Sequence, residues 1–444
     1  MLFAGEKALS RPCSLAQFEG VNANNNTDVR FHGAVHKIRD MGDFAFVLVR
    51  MADGIFQCVW SREFSQFDIK DICEEACAEF EGSIYSDERA PHGFEISLKT
   101  VRLLSKPAEG MPVTINKGKI TANLDTELNY RTAVLRSPAE RAKFRLQEGF
   151  ARAFREYLHE NGFTEIHTPK IVAASAEGGA NVFRMDYFGH KAYLAQSPQF
   201  YKQAMVGVFE RVFEVGPVFR AEKHSTVRHL NEYTSLDFEM GYIDSFYDII
   251  EMETGYLKYA MELLQKDYSQ ELELLGVEVP QIDKIPCVRF SDAKQMVSEE
   301  YSRRIKDPND LEPEEEQLIG RLFKEKYNSD FVFVTHYPTK KRPFYAMDDP
   351  ENPKVTLSFD LLFRGLEVTT GGQRIHDYNE QINKMRSKGL DPDEFESYLM
   401  FHKYGAPPHG GLGIGLERLV MRLLGEENIR ACSLYPRDIS RLEP

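Results

Sequence analysis

Across residues 1–105 the apolar positions come in short runs. FHGAVHKI, DFAFVLVR and GIFQCVW are β-branched and aromatic, and the breaks between them, Met41-Gly42-Asp43 and Ala52-Asp53-Gly54, are hairpin chemistry. GFEISLKTVRLL, from Gly93, predicts one more strand. Between them, residues 61–81 alternate Phe64, Phe67, Ile69, Ile72 and Cys73 with acids, a helix or an irregular crossing. Several short strands in about a hundred residues predict a small barrel or sandwich, with an oligonucleotide-binding (OB-fold) barrel as one candidate.

The pattern then changes. SKPAEGMPVTINKGK carries two prolines, two glycines and three lysines with little periodicity, so residues 106–136 read as a linker or hinge. Ser137-Pro138-Ala139-Glu140 has the composition of a capping box with proline at the first helical position. Phe150, Phe154, Tyr157 and Leu158 recur at helical spacing up to Asn161-Gly162, a stop signal. Beyond it, strand-like runs (RVFEVGPVFRAE, TSLDFEMGYI, DFVFVTHY, VTLSFDLLFRGLEVTT) alternate with helical ones. The two runs flanking residues 223–233 look antiparallel, which favours α+β over a doubly wound sheet. Residues 265–325 are charge-rich, and the acidic run Asp310 to Glu316 predicts an insertion helix pair on the surface. The second domain is expected over 137–444.

Composition narrows the function classes. A chain of 444 residues exceeds one ordinary domain, and 42% hydrophobic with 28% charged residues is a globular balance. No apolar run reaches the roughly 18 residues of a membrane span, and the N-terminus does not read as a signal peptide. Six cysteines without CxxC spacing argue against zinc and for reduced thiols in the cytoplasm. The net charge of −14 excludes blanket polyanion binding, so any nucleic-acid contact must be local.

No Walker loop and no HExxH is present. Glycines 410, 411, 413 and 415 precede a helix from Leu416 to Leu424, but no strand run leads in over Gly405 to Gly411, so a dinucleotide loop is weakly supported. More telling are arginines among small residues and carboxylates. Arg220 ends a strand beside Glu222, Arg374 follows Thr-Thr-Gly-Gly-Gln, and Arg418 opens the last helix. One such arginine is ordinarily a salt-bridged surface residue; three point to phosphate or carboxylate recognition.

At these residues a resemblance becomes explicit. EIHTPKI (165–171, around Pro169), FRAEKHSTVRHLNEYTSLDFEM (219–240) and GLGIGLERL (411–419) resemble motifs 1, 2 and 3 of class II aminoacyl-tRNA synthetases. QSPQFYKQ (196–203), SAEGG (175–179) and GLEVTTGGQRIH (365–376) are similar to the archaeal and eukaryotic type of aspartyl-tRNA synthetase. The resemblance spans the chain and implies an OB-fold anticodon-binding barrel followed by a catalytic domain on an antiparallel sheet flanked by helices. It further implies activation of L-aspartate by ATP with Mg2+, then transfer to tRNA, in a cytoplasmic homodimer assembled through motif 1.

Carried over residue by residue, the resemblance gives Arg220 the ATP α-phosphate and the aspartate α-carboxylate, and Arg418 the γ-phosphate and the adenine face. Glu222 would read the adenine amino group, with Ala221 beside it and Arg228, His229 and Leu230 closing over the nucleotide. Gly415, Leu416 and Glu417 complete that ATP set. Glu367 and Thr370 would hold Mg2+; serine is common where Thr370 stands, so the oxygen survives with an added methyl. Lys202 and Arg374 would choose the amino acid, two cations demanding a side-chain carboxylate that asparagine lacks. Glu177 would order a closing loop, Ser197, Gln199, Phe200 and Tyr201 would shape the pocket, and Asp237 admits two readings, ammonium partner or satisfied strand carboxylate.

In the barrel, the resemblance has Phe46 stack on, and Gln57 read, the central anticodon uridine, with Arg39 on the phosphates. The barrel carries 11 Lys and Arg against 16 Asp and Glu, so binding must rest on a few placed groups. Members that accept only tRNA(Asp) resemble one another in a tryptophan on the first strand and a lysine on a later loop; here those places hold His36 and Pro91. The implied enzyme charges tRNA(Asn) as well as tRNA(Asp) and needs a tRNA-dependent amidotransferase downstream. The bland alternative has His36 a plain strand residue, Pro91 a loop former and His92 the discriminator. Competing readings are a strictly discriminating enzyme, an asparaginyl-tRNA synthetase, a synthetase-derived regulator without catalysis, and an amide ligase, which lacks such a barrel.

Overall fold

A computed structural model describes Cys13, Phe18 and residues 27–90, 92–118, 120–173, 181–223 and 226–443. The chain divides between Pro138 and Ala139 into two compact units. In the first, β1 (Asp28–Asp40), β2 (Phe44–Arg50), β3 (Ile55–Ser61), β4 (Cys77–Ser86) and β5 (Phe94–Ser105) close a barrel in the order β1-β2-β3-β5-β4. Alternation decides what fills it. Ala45, Val47 and Val49 of β2 point inward with Phe56, Cys58 and Trp60 of β3, while Phe46 and Gln57 stay partly exposed on the other face. Phe31, Phe80, Ile96 and Leu98 complete that core, each large side chain contributing ~1.5–3 kcal/mol by leaving water. The stretch before β4 is an irregular crossing with one 3-10 turn, Ile69–Asp71. The segment read as a linker has buried anchors of its own, among them Ile115, Leu128, Arg131 and Val134.

The second unit starts with the helix Pro138–Glu160, whose Leu146, Phe150, Phe154 and Leu158 are fully buried. Its strands are β6 (Thr164–Glu165), a small sheet of β7 (Ile171–Val172), β8 (Arg184–Tyr187) and β9 (His190–Leu194), then β10 (Arg211–Phe219), β11 (Glu232–Gly241), β12 (Cys287–Arg289), β13 (Phe331–Thr335), the pair β14 (Asp348–Asp349) and β15 (Asn352–Thr356), β16 (Ser358–Phe363), β17 (Leu366–Gln373) and β18 (His409–Gly415). Eight of them form the main sheet, β12-β13-β16-β17-β18-β11-β10-β6. It is antiparallel except at its two ends, where β12 joins β13 and β6 joins β10 in parallel. The fold is therefore α+β, and β10 and β11 pair antiparallel as their runs predicted.

Two sequence expectations are corrected here. The glycine run before the last helix is not a loop: β18 runs into the helix Leu416–Leu424 and lies in mid-sheet between β17 and β11. Glycine is required there by crowding, since a Cβ on Gly411 would sit 2.1 Å from the Phe238 carbonyl oxygen and 2.2 Å from Glu239 Oε2. Nor is the acidic run a purely solvated feature. The helix Pro313–Tyr327 packs Ile319, Leu322 and Phe323 with Phe290 and Val297 of the helix Phe290–Glu300 onto Val332, Val334 and Leu362 of the sheet. Its Glu315 and Glu316 are buried. Gly320 allows this approach, because a Cβ there would meet Gly365 N at 2.4 Å, at the turn between β16 and β17.

Candidate active site

The exposed face of β17, β18 and β11, with the end of β10 and the helix Gln199–Phe209, forms a cleft of about 240 Å³ that continues into a second recess. Arg220, Tyr233, Glu367, Thr370, Gly413 and Gly415 border both. Arg220 and Arg418, far apart in sequence, meet because β18 lies between β11 and β17.

At one end, Lys202 is 2% exposed and its Nζ donates to Asp237 Oδ1 (2.9 Å) and to the Leu412 carbonyl (2.8 Å), with Glu239 Oε2 at 3.5 Å. Arg374 donates from Nε to Glu239 Oε1 (2.9 Å) and from Nη2 to Glu239 Oε2 (3.4 Å) and the Gly411 carbonyl (2.8 Å). Ser235 Oγ donates to Asp237 Oδ2. Burial alone would push the Glu239 carboxyl up; Arg374 and Lys202 reverse this and hold it below the usual range. Two cations thus face two internal carboxylates, which corrects the argument from charge alone. The wall is therefore an internally paired cluster, with the Lys202 ammonium facing Asp237, the Leu412 carbonyl and Glu239. Glu239 escaped the sequence reading, although its i, i+2 spacing from Asp237 puts both on one face of β11.

Ser197 and Gln199 also line this cleft. Phe200 instead packs with Phe344, Phe395 and Tyr398, and neither it nor Tyr201 borders the cavity. Glu177 lies outside the described residues.

In the second recess, Arg418 Nη1 donates to the Glu367 carbonyl (2.9 Å) and lies 3.3 Å from Glu367 Oε1, while Arg228 and His229 border the same space. Glu222 accepts from Asn181 Nδ2 (3.2 Å), and Ala221 N donates to the Asn181 carbonyl (3.0 Å). Burial lowers the pKa of His229. Leu230 borders this recess while packing into the core, and Leu416 is buried in the core. Glu417 points back to accept from Thr234 N at 3.0 Å, and burial pushes its pKa up to about 7.

Thr370 Oγ1 lies 3.3 Å from Glu367 Oε1, and the threonine is exposed on the border of the cleft. Opposite Thr370 on β16 is Asp360, ion-paired to Arg342 at 2.8 Å, whose buried Oδ1 has no hydrogen-bond partner. Hard oxygens around an unsatisfied carboxylate atom fit a divalent cation such as Mg2+. Sequence reasoning missed Arg342, which borders the cleft, and the buried Asp360 and Glu316, which border neither recess. Burial, then the neighbouring Glu367, push Glu316 up to about 7.

In the barrel, Arg39 is exposed and pairs across strands with Phe46, while Gln57 donates to Glu95 at 2.5 Å. His36 does not face outward. A register irregularity between Val35 and Lys37 leaves it 5% exposed against Arg50 Nη1 (3.1 Å), which with Nη2 grips Glu75 at 2.7 Å. Pro91 lies outside the described residues.

The family model "tRNA synthetases class II (D, K and N)" matches residues 123–439. An aspartate–tRNA(Asp/Asn) ligase of Deinococcus radiodurans is 47% identical over 422 residues, covering 94% of this chain and 95% of that protein. The Aeropyrum pernix protein of the same name is 45% identical over 425 residues, covering 94% and 95%. The solved asparaginyl-tRNA synthetase of Pyrococcus horikoshii, complexed with asparaginyl-adenylate, superposes with a TM-score of 0.88 at 30% identity over 95% of this chain and 97% of that one.

Proposed function

The chain belongs to the class II tRNA synthetases, and we propose that within this family it is an aspartate–tRNA(Asp/Asn) ligase. The observation that carries the amino-acid choice is the placing of two cations, Lys202 and Arg374, together on the wall of the cleft. An aspartate side chain accepts from nitrogen donors with both oxygens. The NH2 of asparagine would meet further donors, and sites built on such pairing reject the mismatched analogue strongly. Relatives named for aspartate support this reading, although overall shape is shared with an asparaginyl enzyme.

No protein nucleophile is needed. The aspartate α-carboxylate attacks the ATP α-phosphate, forming aspartyl-adenylate and releasing diphosphate. A terminal hydroxyl of the tRNA then takes the aspartyl group and AMP leaves. Arg220 would stabilise charge developing at phosphorus, with Arg418 and Arg228 on the outer phosphates and Glu222 and His229 around the adenine. Glu367 and Thr370, with Asp360 behind them, would hold Mg2+, which supplies charge neutralisation on the triphosphate.

For tRNA, Phe46, Gln57 and Arg39 would take the unstacked anticodon. The buried His36 provides no wall against uridine at the third anticodon position, so tRNA(Asn) is charged too, and an amidotransferase must convert the product. The work takes place in the cytoplasm, in keeping with six cysteines that form no disulfide. Pyrophosphate exchange should depend on aspartate and not asparagine. Aminoacylation of purified tRNA(Asp) and tRNA(Asn) should give catalytic efficiencies within about tenfold, roughly 1.4 kcal/mol. A thousandfold deficit on tRNA(Asn) would show a discriminating enzyme. The same family reading makes the protein a homodimer. Sedimentation at micromolar concentration should report about twice 51.0 kDa, and a fully active monomer would refute it.

A further inference from the structure

Glu316 stands in the first turn of the helix Pro313–Tyr327 and is 6% exposed. One oxygen, Oε2, accepts from Arg228 Nη2 at 2.5 Å and from the backbone N–H of Glu367 at 3.1 Å. These two partners belong to different walls of the nucleotide recess, the segment between β10 and β11 on one side and β17 on the other. The close packing of Gly320 on Gly365 explains how the carboxylate gets there: Glu316, one turn earlier on the same helix face, is carried to the start of β17. Arg228 is held at one end of its guanidinium, and its buried Nε has no hydrogen-bond partner. The Arg228 carbonyl also accepts from Arg418 Nε at 3.4 Å, so fixing Arg228 constrains a second arginine of the recess.

We infer that Glu316 is a positioning residue for the nucleotide, a single carboxylate oxygen that sets Arg228 and the Glu367 backbone relative to one another before ATP arrives. The inference rests on the ATP-dependent reading above. Glu316 touches no reacting atom in this role. It reduces the freedom Arg228 must lose when the triphosphate binds, so its removal acts on nucleotide affinity more than on the aspartate wall, where Lys202 is on the helix Gln199–Phe209 and Arg374 lies past the far end of β17.

The test compares wild type, Glu316→Ala, Glu316→Gln, Arg228→Ala and the double variant Glu316→Ala/Arg228→Ala. Pyrophosphate exchange gives KM for ATP and for aspartate, and calorimetry with Mg2+ and a nonhydrolysable ATP analogue gives affinity directly. Glu316→Ala should raise KM for ATP and weaken analogue binding about tenfold, with KM for aspartate changed less than twofold. Glu316→Gln should recover part of the loss, because an amide oxygen still accepts from Glu367 N. The double variant should be little worse than Arg228→Ala alone. Unchanged analogue affinity in Glu316→Ala, or losses that multiply in the double variant, would overturn the inference, as would equal rises in both KM values. If Glu316→Ala folds poorly, the same affinity comparison on Glu316→Gln decides, with unaltered binding counting against the role. Wild type lacking aspartate-dependent exchange would count against the proposed activity, while the calorimetric difference would still decide the role of Glu316.

Discussion

Replacing Lys202 by methionine is expected to lower kcat/KM for aspartate in pyrophosphate exchange by about a thousandfold, roughly 4 kcal/mol. The side chain is buried and bonded to Asp237 and the Leu412 carbonyl, with Glu239 close by. Methionine matches its length and removes the charge. Asp237 then loses its cation and Glu239 keeps only Arg374, and breaking a buried pair from one side costs about 3–5 kcal/mol. Part of that cost falls on folding, so thermal denaturation should show a lowered midpoint. The remainder falls on substrate, because the wall now presents excess negative charge to an incoming carboxylate. Lys202→Arg is the informative companion: it keeps the charge in a shape the site cannot hold, and should recover stability better than activity. A methionine variant within tenfold of wild type would remove Lys202 from substrate recognition.

Gly411→Ala should have the second largest effect, although no side chain is lost. The added methyl would overlap the Phe238 carbonyl and Glu239 Oε2. Backbone in mid-sheet yields little, so the carboxylate of Glu239 must move, and with it the two cations it joins. Overpacking of this kind destabilises by about 1–3 kcal/mol. A displacement near 1 Å at the substrate wall costs about a hundredfold in rate. Steady-state exchange kinetics beside a melting curve would separate the two contributions. Wild-type kinetics in this variant would mean that Glu239 has room the packing denies it.

Much of the architecture was legible in the chain because β-branched runs and turn residues act locally. The alternation of Ala45, Val47 and Val49 with Phe46 and Leu48 predicts β2, and the Pro138 start and Asn161-Gly162 stop bound the first long helix of the second unit within a residue or two. The motif arginines were legible for another reason: their order along the chain resembles that of a family. What escaped depends on partners distant in sequence. β18 has glycines where strands ordinarily carry bulk, and only the crowding between β11 and β17 makes it a strand. Glu316 sits in a charge run that periodicity assigns to solvent, and burial came from a helix docking on a hairpin. His36 was displaced by a bulge, which shifts facing by one residue and leaves composition unchanged. Glu239 could have been found, since the face holding Asp237 also holds it.

The place of β18 bears on how the protein is made. Ile414 pairs with Leu236 on one side and Thr369 on the other, so strands whose sequences leave the ribosome far apart in time are joined by one that emerges after both. The barrel, complete by Ser105, can close while most of the chain is still unsynthesised. The main sheet cannot. Until residues 409–415 are available, β11 and β17 each present an unpaired edge, the surface most prone to pairing with the wrong chain. A nascent chain in that interval is the state with these two edges open to mispairing, and slow translation between β17 and β18 would prolong it.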